Sequence, residues 1–365
     1  MLPNFSRREI LKMGLFGASA LAFRPWVRWD DVQEQFPNAE KLGRNCASGI
    51  INLRAKPSDT ATFLKGLRED TIVIWLREVI GDASDGISRR WVETPDGYLY
   101  SPNIQPVKNI PNNPVANLPI YKTLGQGMWV EVTIPYVDII LDNPPVSPWL
   151  IAKIAETPGP RLYYGQVIWV DQIKTNSQGQ VLYRVNELYG SYGDTYWAAA
   201  EAFRPITNDD LTPIHPDVVD KQVVVDINHQ TLSCMEGNDE VYFCRISSGA
   251  KFDAAGNAVT EYATPVGVQR IWRKLISIHM SAGNHSSGYD TAGIGWTTFF
   301  NPGGMAIHST FWHNHFGVPV SHGCVNATPD DAKWVFRWTT PSVQLDPGDI
   351  TVQMPGGTIV NVVEG

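Results

Sequence analysis

Ser321-His322-Gly323-Cys324-Val325-Asn326 is the most informative stretch of this chain, and His308-Ser309 stands sixteen residues before its cysteine. A cysteine attacks only as its thiolate, so it needs a base or a cation close in space. An imidazole titrates near neutral pH and can serve as that base. Gly323 permits a tight backbone turn and a close approach of substrate. The pattern indicates nucleophilic catalysis by Cys324.

The arrangement resembles the signature of the L,D-transpeptidases with a YkuD-type catalytic domain, which is a His, a gap of variable length, and then Ser/Thr-His-Gly-Cys. Three further elements match the family, and they are Ser247-Ser248-Gly249, Thr264-Pro265-Val266-Gly267 and a closing turn and strand at Pro347-Gly348-Asp349-Ile350-Thr351-Val352. The resemblance covers residues 217–365. It implies a catalytic domain of the β-sandwich type.

The family pattern assigns roles to the residues of the motif. Cys324 is expected to be the nucleophile and His308 the general base, in a thiolate–imidazolium pair. Ser309 is expected to orient the histidine through its side chain or its backbone. His322 is expected to shape the site, and a second acid–base role for it stays open. The backbone amides of Gly323 and Cys324 are expected to form an oxyanion hole.

Other residues are expected to bind substrate or to line the pocket. The amide of Asn326 suits hydrogen bonding to a peptide backbone, and Gly303 and Gly304 would keep the approach open. The remaining members of this set are Ser321, Met305, Trp312 and Trp296.

A zinc site is the alternative reading of the same region, with ligands from His308, His313, His315, His322 and Cys324. No pair among them has the spacing of a structural zinc site, and a thiolate bound to zinc could not be acylated. The sequence therefore predicts no metal and no cofactor. His313-Asn314-His315 is expected on a flap between base and nucleophile. The other histidines, His215, His229, His279 and His285, are expected to be structural.

The composition favours a mainly β fold. The chain has 365 residues, which is too long for one ordinary domain. Its 13 Trp, 13 Tyr, 13 Phe, 26 Pro and 31 Gly favour short strands and turns over helix bundles. We predict domains at residues 46–123, 124–207 and 217–365, with a polar boundary at Thr207 to Pro216.

The two N-terminal regions resemble bacterial SH3-like domains, so one or two small β-barrels are expected before the catalytic domain. The first has Arg54-Ala55-Lys56-Pro57, a central apolar strand at residues 71–76 and Arg90 to Tyr100 with a Pro-Asp-Gly turn. The second repeats this order weakly, and Trp129-Val130-Glu131-Val132 replaces its Arg-x-x-Pro. The alternative is one larger irregular β-domain. Modules of this kind commonly position a wall enzyme on its polymer.

The N-terminus resembles an export signal. Ser6-Arg7-Arg8-Glu9-Ile10-Leu11-Lys12 is similar to a twin-arginine motif, and an apolar stretch and small residues follow. We predict a signal peptide over residues 1–22, a linker over 23–45, recognition by the twin-arginine machinery, and a location outside the plasma membrane, in the cell wall or periplasm. The alternative is a short N-terminal helix of a cytosolic protein. The net charge of −8, with no basic run beyond the N-terminus, argues against nucleic acid as a partner.

The remaining cysteines are Cys46, Cys234 and Cys244, which allow at most one internal disulfide. Cys234 and Cys244 flank a predicted turn at Gly237-Asn238-Asp239. Their faces depend on the strand register, so buried thiols are favoured and a disulfide stays open.

The resemblance implies an enzyme that acts on the tetrapeptide stems of peptidoglycan. Cys324 would form a thioester with release of D-alanine, and an amine of another stem would resolve it into a 3–3 cross-link. Carbapenem-type β-lactams would inhibit by acylating Cys324. The alternatives are hydrolysis of the same thioester by an L,D-carboxypeptidase, attachment of protein to the wall, and a non-catalytic wall-binding protein.

Overall fold

Short strands separated by turns make up most of the fold, as the composition predicts. The computed structural model describes residues 36–82, 88–252, 257–282, 289–353 and 355–365. The predicted signal peptide, the linker as far as residue 35 and His285 lie outside these residues. No helix among the described residues has the length and apolar character needed to cross a membrane.

The first region contains eight strands in two sheets. The sheets have the orders β4-β1-β8 and β3-β2-β7-β6-β5. The strands are β1 (Leu42–Asn45), β2 (Ile51–Arg54), β3 (Phe63–Leu67), β4 (Ile72–Ile74), β5 (Arg77–Ile80), β6 (Arg90–Thr94), β7 (Gly97–Tyr100) and β8 (Ile104–Val107). Leu53, Trp75, Val92 and Leu99 are buried between them, because alternate strand residues point to the same side.

The second region contains nine strands and one short helix, α1 (Pro148–Ile154). A seven-stranded sheet has the order β13-β12-β16-β15-β14-β11-β17, and β9 pairs with β10. The strands are β9 (Ile120–Tyr121), β10 (Gly125–Gln126), β11 (Met128–Val132), β12 (Tyr136–Leu141), β13 (Arg161–Tyr163), β14 (Val167–Thr175), β15 (Val181–Asn186), β16 (Thr195–Ala199) and β17 (Phe203–Pro205).

The two regions share one strand-pairing scheme. In the first, β1 pairs with β4 and β8, β2 with β3 and β7, and β6 with β5 and β7. In the second, β11 pairs with β14 and β17, β12 with β13 and β16, and β15 with β14 and β16. The long strand β14 takes the places of both β4 and β5. A 3-10 turn precedes the last strand in each, at Ser101–Asn103 and Ala200–Ala202. The weak sequence repeat thus coincides with a repeat of pairing, and the SH3-like assignment stays a prediction.

The C-terminal region consists of two five-stranded sheets and helix α2 (Pro329–Trp338). The sheet orders are β20-β19-β18-β27-β21 and β25-β24-β23-β22-β26. The strands are β18 (Lys221–Asp226), β19 (Thr231–Glu236), β20 (Asp239–Arg245), β21 (Gly267–Arg270), β22 (Arg273–Ala282), β23 (Tyr289–Phe299), β24 (Ala306–Ser309), β25 (Val325–Ala327), β26 (Asp349–Thr351) and β27 (Ile359–Val363). The sequence patterns did not indicate β27, which pairs in parallel with β18. The chain therefore closes with β27 and not with β26, where the family pattern placed the closing strand.

Helix α2 begins with a side-chain cap. Thr328 caps it through a hydrogen bond from the Asp331 amide at 3.2 Å, and Pro329 occupies the first turn, where its missing N–H costs nothing. Ala332, Val335 and Phe336 recur at helical spacing and are buried. They pack into a single core to which both sheets contribute.

The second region is packed tightly against the C-terminal region. Trp129 and Trp169 belong to the same core as the two sheets of the C-terminal region. Trp129 Nε1 donates to the Leu345 carbonyl at 3.0 Å, and Gln166 Nε2 donates to the Ala292 carbonyl at 2.7 Å. Residues Ala39–Gly365 accordingly form one compact unit.

Candidate active site

The parallel pairing of β24 with β25 brings the predicted base and nucleophile together. His308 lies opposite Asn326, and Ile307 lies opposite Val325. Side chains alternate between the faces of a strand, so Ile307 and Val325 enter the core and His308 lies on the other face. Cys324 directly precedes β25, and it joins Ala306 and Trp312 in a small apolar cluster on this second face.

His308 is held by the backbone of its neighbour. Its Nδ1 lies 2.9 Å from the Ser309 carbonyl oxygen, so Nδ1 carries the proton and donates, and Nε2 is left as the basic nitrogen. Ser309 Oγ points elsewhere and accepts from the Gly295 amide at 3.0 Å. The histidine is buried, and burial lowers its pKa to about 4. It is therefore neutral and able to accept a proton at neutral pH.

The sulfur of Cys324 is also in a neutral state. Its Sγ lies 3.9 Å from the Gly304 carbonyl oxygen, to which the S–H donates. Burial raises the pKa of the thiol to about 11, although a hydrogen bond from the Ala306 amide acts in the opposite direction. Both shifts favour a thiol and a neutral imidazole in the resting site, and the expected thiolate–imidazolium pair stays a prediction. No hydrogen bond joins the two side chains in the described residues, a looseness that unliganded catalytic sites commonly show.

Ser321 closes the turn that presents the cysteine. Its Oγ accepts from the Gly323 amide at 3.1 Å and donates to the Cys324 carbonyl at 2.5 Å. Gly323 has φ +112°, a conformation that L side chains rarely adopt, and this explains the glycine before the nucleophile. Because Ser321 occupies the Gly323 amide, that amide is not free as the first donor of an oxyanion hole. The side chain of Ser321 is likewise engaged within the turn.

Two residues to which the sequence assigned no role, Thr264 and Ser247, stabilise this turn. Thr264 Oγ1 donates to the Gly323 carbonyl at 2.9 Å and accepts from the Gly249 amide at 2.9 Å. Ser247 exchanges backbone hydrogen bonds with Asn326, both at 2.9 Å. A Cβ on Gly249 would lie 1.7 Å from the Tyr262 carbonyl oxygen, so only glycine fits. Ser247 and Thr264 belong to the Ser-x-Gly and Thr-Pro-x-Gly elements, so the sequence contained a signal for both residues.

His322 lies at the exposed rim of the site. Its ring contacts Tyr262 and Tyr289, with ring centroids 4.6 Å and 5.4 Å away. Partial burial lowers its pKa. The position suits contact with a substrate that approaches Cys324 from solvent.

Asn326 is buried and its amide is engaged. The amide nitrogen lies 2.9 Å from Nε2 of His313, the His315 amide lies 3.1 Å from Nδ1 of that ring, and the neutral ring accepts from one of these two donors. Burial lowers the pKa of His313 to about 3, so it is neutral. In this arrangement Asn326 joins the His313 segment to β25, and its side chain is not open to a substrate backbone.

The remaining predicted pocket residues divide into two groups. The Met305 side chain lies over Gly323, Gly303 and Gly304 are exposed beside it, and Trp312 approaches the His308 ring at 6.0 Å between centroids. Trp296 does not line the pocket. It is fully buried in the core, edge-on to Phe336 at 5.5 Å, because it lies on the opposite face of β23.

The other histidines and cysteines have structural surroundings. His215, His229 and His279 each contact carboxylates. Within the described ranges no group of three or more His, Cys, Asp or Glu side chains is arranged to hold a metal ion. Cys234 and Cys244 are buried on neighbouring strands with a diagonal offset, since Cys234 lies opposite Tyr242, and both are free thiols, as is Cys46.

Comparison with known proteins matches the C-terminal region to one family. Residues 220–362 match the family model of YkuD, the L,D-transpeptidase catalytic domain. The chain therefore carries a YkuD-type L,D-transpeptidase catalytic domain, as the sequence motif predicts.

Individual relatives are more distant. YciB of Bacillus subtilis (strain 168), provisionally named an L,D-transpeptidase, is 28% identical over 135 residues, which are 34% of this chain and 64% of YciB. A solved L,D-transpeptidase (residues 123–326) from Xylanimonas cellulosilytica is 23% identical over 41% of this chain and 64% of that one, with a TM-score of 0.27. L,D-transpeptidase 3 of Mycobacterium tuberculosis, solved with a faropenem-derived adduct, is 16% identical over 55% and 91%, with a TM-score of 0.31. The chain thus spans 64% of the length of the first two.

Proposed function

We propose that this protein is a cysteine-dependent L,D-transpeptidase that cross-links peptidoglycan stems. The observation that carries the proposal is the register of β24 and β25. It sets His308, with a proton fixed on Nδ1 and a basic Nε2, on the same face as Cys324. A neutral imidazole with a free Nε2 can accept the thiol proton as the sulfur attacks.

In the first step, the Cys324 thiol gives its proton to Nε2 of His308 as the sulfur attacks the carbonyl of the third stem residue. The tetrahedral intermediate collapses and breaks the C–N bond to the terminal D-alanine. The leaving amine takes the proton from His308, so a thioester and free D-alanine result. Splitting the exchange in this way replaces one difficult substitution by two easier ones.

In the second step, the side-chain amine of another stem's third residue attacks the thioester carbonyl. His308 accepts a proton from this amine and returns it to sulfur as the C–S bond breaks. The product is a 3–3 cross-link and the free thiol. Water in place of the amine would give an L,D-carboxypeptidase.

The same chemistry supports inhibition by carbapenem-type β-lactams. A strained lactam carbonyl would acylate Cys324, and the amine would remain tethered within the adduct. Export to the cell wall or periplasm by the twin-arginine machinery is part of this proposal and is supported by Arg7 and Arg8. Exchange of both for lysine should leave the protein in the cytoplasm when cells are fractionated.

The experiment is incubation of the protein with a disaccharide-tetrapeptide, followed by assay of D-alanine and of the dimeric products. D-alanine with a 3–3 dimer supports the transpeptidase. D-alanine with only the tripeptide product identifies the carboxypeptidase. A folded protein that releases no D-alanine contradicts both enzymes and favours a wall-binding role.

A further inference from the structure

The loop that joins the base strand to the nucleophile strand is fastened to the first N-terminal region. We call residues 310–324 the connecting loop, since it runs from β24 to β25. Its backbone groups at 311, 314 and 316 bond to residues that are more than 200 positions away in sequence.

Arg44 of β1 makes the first attachment. Its guanidinium donates to the Phe311 carbonyl at 2.7 Å, to Asp70 at 2.7 Å and to Gln105 at 2.9 Å. The side chain is buried, and it lies over the Tyr163 ring at 4.0 Å. A buried arginine with every branch of its planar fork engaged fixes the position of its partner carbonyl.

Arg90 of β6 makes the second attachment. It donates to the Phe316 carbonyl at 2.8 Å and to the Asn314 carbonyl at 3.3 Å, and Glu78 lies 2.6 Å from its Nε. Asn314 is tied further by the turn at Ser101 and Pro102. Its amide donates to the Pro102 carbonyl at 2.9 Å, and its side chain donates to the Ser101 carbonyl at 3.1 Å and Oγ at 3.2 Å.

The fastened segment carries side chains that reach the reacting residues. Trp312 approaches His308 and shares an apolar cluster with Cys324. His313 holds the amide of Asn326, the residue opposite His308. Movement of the segment would therefore uncover the base and release the start of β25.

We propose that the first N-terminal region is a positioning part of the catalytic apparatus, with Arg44 and Arg90 as positioning residues that hold the connecting loop over His308. This role differs from attachment to the wall, which the tandem modules suggest by analogy. Its effect on rate rests on the proposed function, whereas its effect on the loop does not. Misplacement of reacting groups by about 1 Å can cost on the order of a hundredfold in rate.

The test compares Arg90→Gln, Arg90→Lys and Ser101→Ala in the full chain with Arg77→Gln. Arg77 is the control because it lies on the neighbouring strand β5 and pairs with Glu93 at 2.5 Å, on an exposed face away from the loop. Arg90 is preferred to Arg44, since removing Arg44 would leave the buried Asp70 with less compensation. Ser101→Ala removes only a hydroxyl, so it tests the same attachment even if the arginine variants fold poorly.

Three quantities are measured for each variant, namely the melting temperature, amide hydrogen exchange in peptides covering residues 310–324, and the rate of Cys324 acylation by a carbapenem. We expect Arg90→Gln to speed exchange in the loop and to slow acylation roughly tenfold to a hundredfold, with Arg90→Lys intermediate. Ser101→Ala should act in the same direction more weakly, and Arg77→Gln should match wild type.

Unchanged exchange in Arg90→Gln and Ser101→Ala would overturn the proposal, because the loop would then hold its place without these contacts. Faster exchange with an unchanged acylation rate would overturn it as well, since the contacts would then hold the loop without affecting catalysis. A wild-type protein that is not acylated at all would instead overturn the proposed function, and the exchange data would still decide whether the contacts hold the loop.

Discussion

Nδ1 of His308 lies 2.9 Å from the backbone carbonyl oxygen of Ser309, the next residue in sequence. The family pattern left open whether Ser309 orients the histidine by its side chain or by its backbone. The structure has the backbone contact, and the hydroxyl is used to bind the Gly295 amide. The two alternatives have different consequences for substitution of this serine.

Ser309→Ala should therefore preserve catalysis and reduce stability. The carbonyl that fixes the histidine tautomer stays in place, so the acylation rate should remain within about threefold of wild type, while the unsatisfied Gly295 amide should cost about 1–3 kcal/mol of unfolding free energy. Urea unfolding and carbapenem acylation measure the two effects. A large loss of rate with unchanged stability would show that the hydroxyl itself acts on His308.

The neutral resting state predicts the pH dependence of thiol reactivity. Burial raises the pKa of Cys324 to about 11, so its thiolate fraction and its alkylation by iodoacetamide should rise from pH 7 to 10 without reaching a plateau. Peptide mass spectrometry at Cys324 separates this site from the other thiols. A plateau already present at pH 5 to 7 would indicate a preformed thiolate–imidazolium pair.

Catalysis by a buried base should extend to low pH. Burial lowers the pKa of His308 to about 4, so the acid limb of the acylation rate should lie well below the ordinary histidine value of 6.5. The same lowered pKa reduces the stability of the folded protein in acid. The unfolded histidine binds its proton at higher pH than the folded one, so the free energy of unfolding falls as pH decreases from about 6.5 towards 4. An acid limb near 6.5 would contradict the burial of His308.

Thr264→Val should impair the turn that presents the nucleophile. Valine keeps the shape of threonine but leaves the Gly249 amide and the Gly323 carbonyl without their partner, and we expect a roughly tenfold or greater loss of acylation rate. Thr358→Val is the control, because its buried hydroxyl bonds to Thr340 at a distance from the motif. Equal rate losses in the two variants would mean that the effect is one of general stability.

His279 should contribute stability at neutral pH and lose it in alkali. It is buried between Glu187 and Asp290, at 2.7 Å and 2.5 Å, beside Tyr192, and these partners raise its pKa to about 9 despite desolvation. A raised folded pKa gives stability that is complete below about 6.5 and is lost as pH rises through about 9. The melting-temperature difference between wild type and His279→Gln should therefore narrow from pH 6 to 10. A constant difference would contradict a charged imidazolium.

Short motifs of adjacent residues predicted the parts of the structure that depend on interactions between sequence neighbours. The turn at Gly323 and the short strands each depend on a few adjacent residues, so their signals lie in the sequence itself. Trp296 was misplaced because its direction depends on the register of β23 against its neighbours. One step along a strand moves a side chain to the opposite face.

Contacts between distant residues left no readable pattern. Arg90 and Phe316 are far apart in sequence, and no motif links them, so only the folded chain reveals their bond. The shared pairing scheme of the two N-terminal regions was equally faint, because pairing uses backbone groups that every residue carries. The pKa values of His308 and Cys324 depend on burial, which the motif does not encode.

Acyl transfer through Cys324 is tested by intact-protein mass spectrometry of the full chain with a disaccharide-tetrapeptide. Cys324→Ala is the variant, and Cys46→Ala is the matched control for a thiol outside the motif. We expect a thioester adduct, lacking D-alanine, on wild type and Cys46→Ala and none on Cys324→Ala. An adduct that persists in Cys324→Ala, or D-alanine release that survives this exchange, would contradict acyl transfer through Cys324.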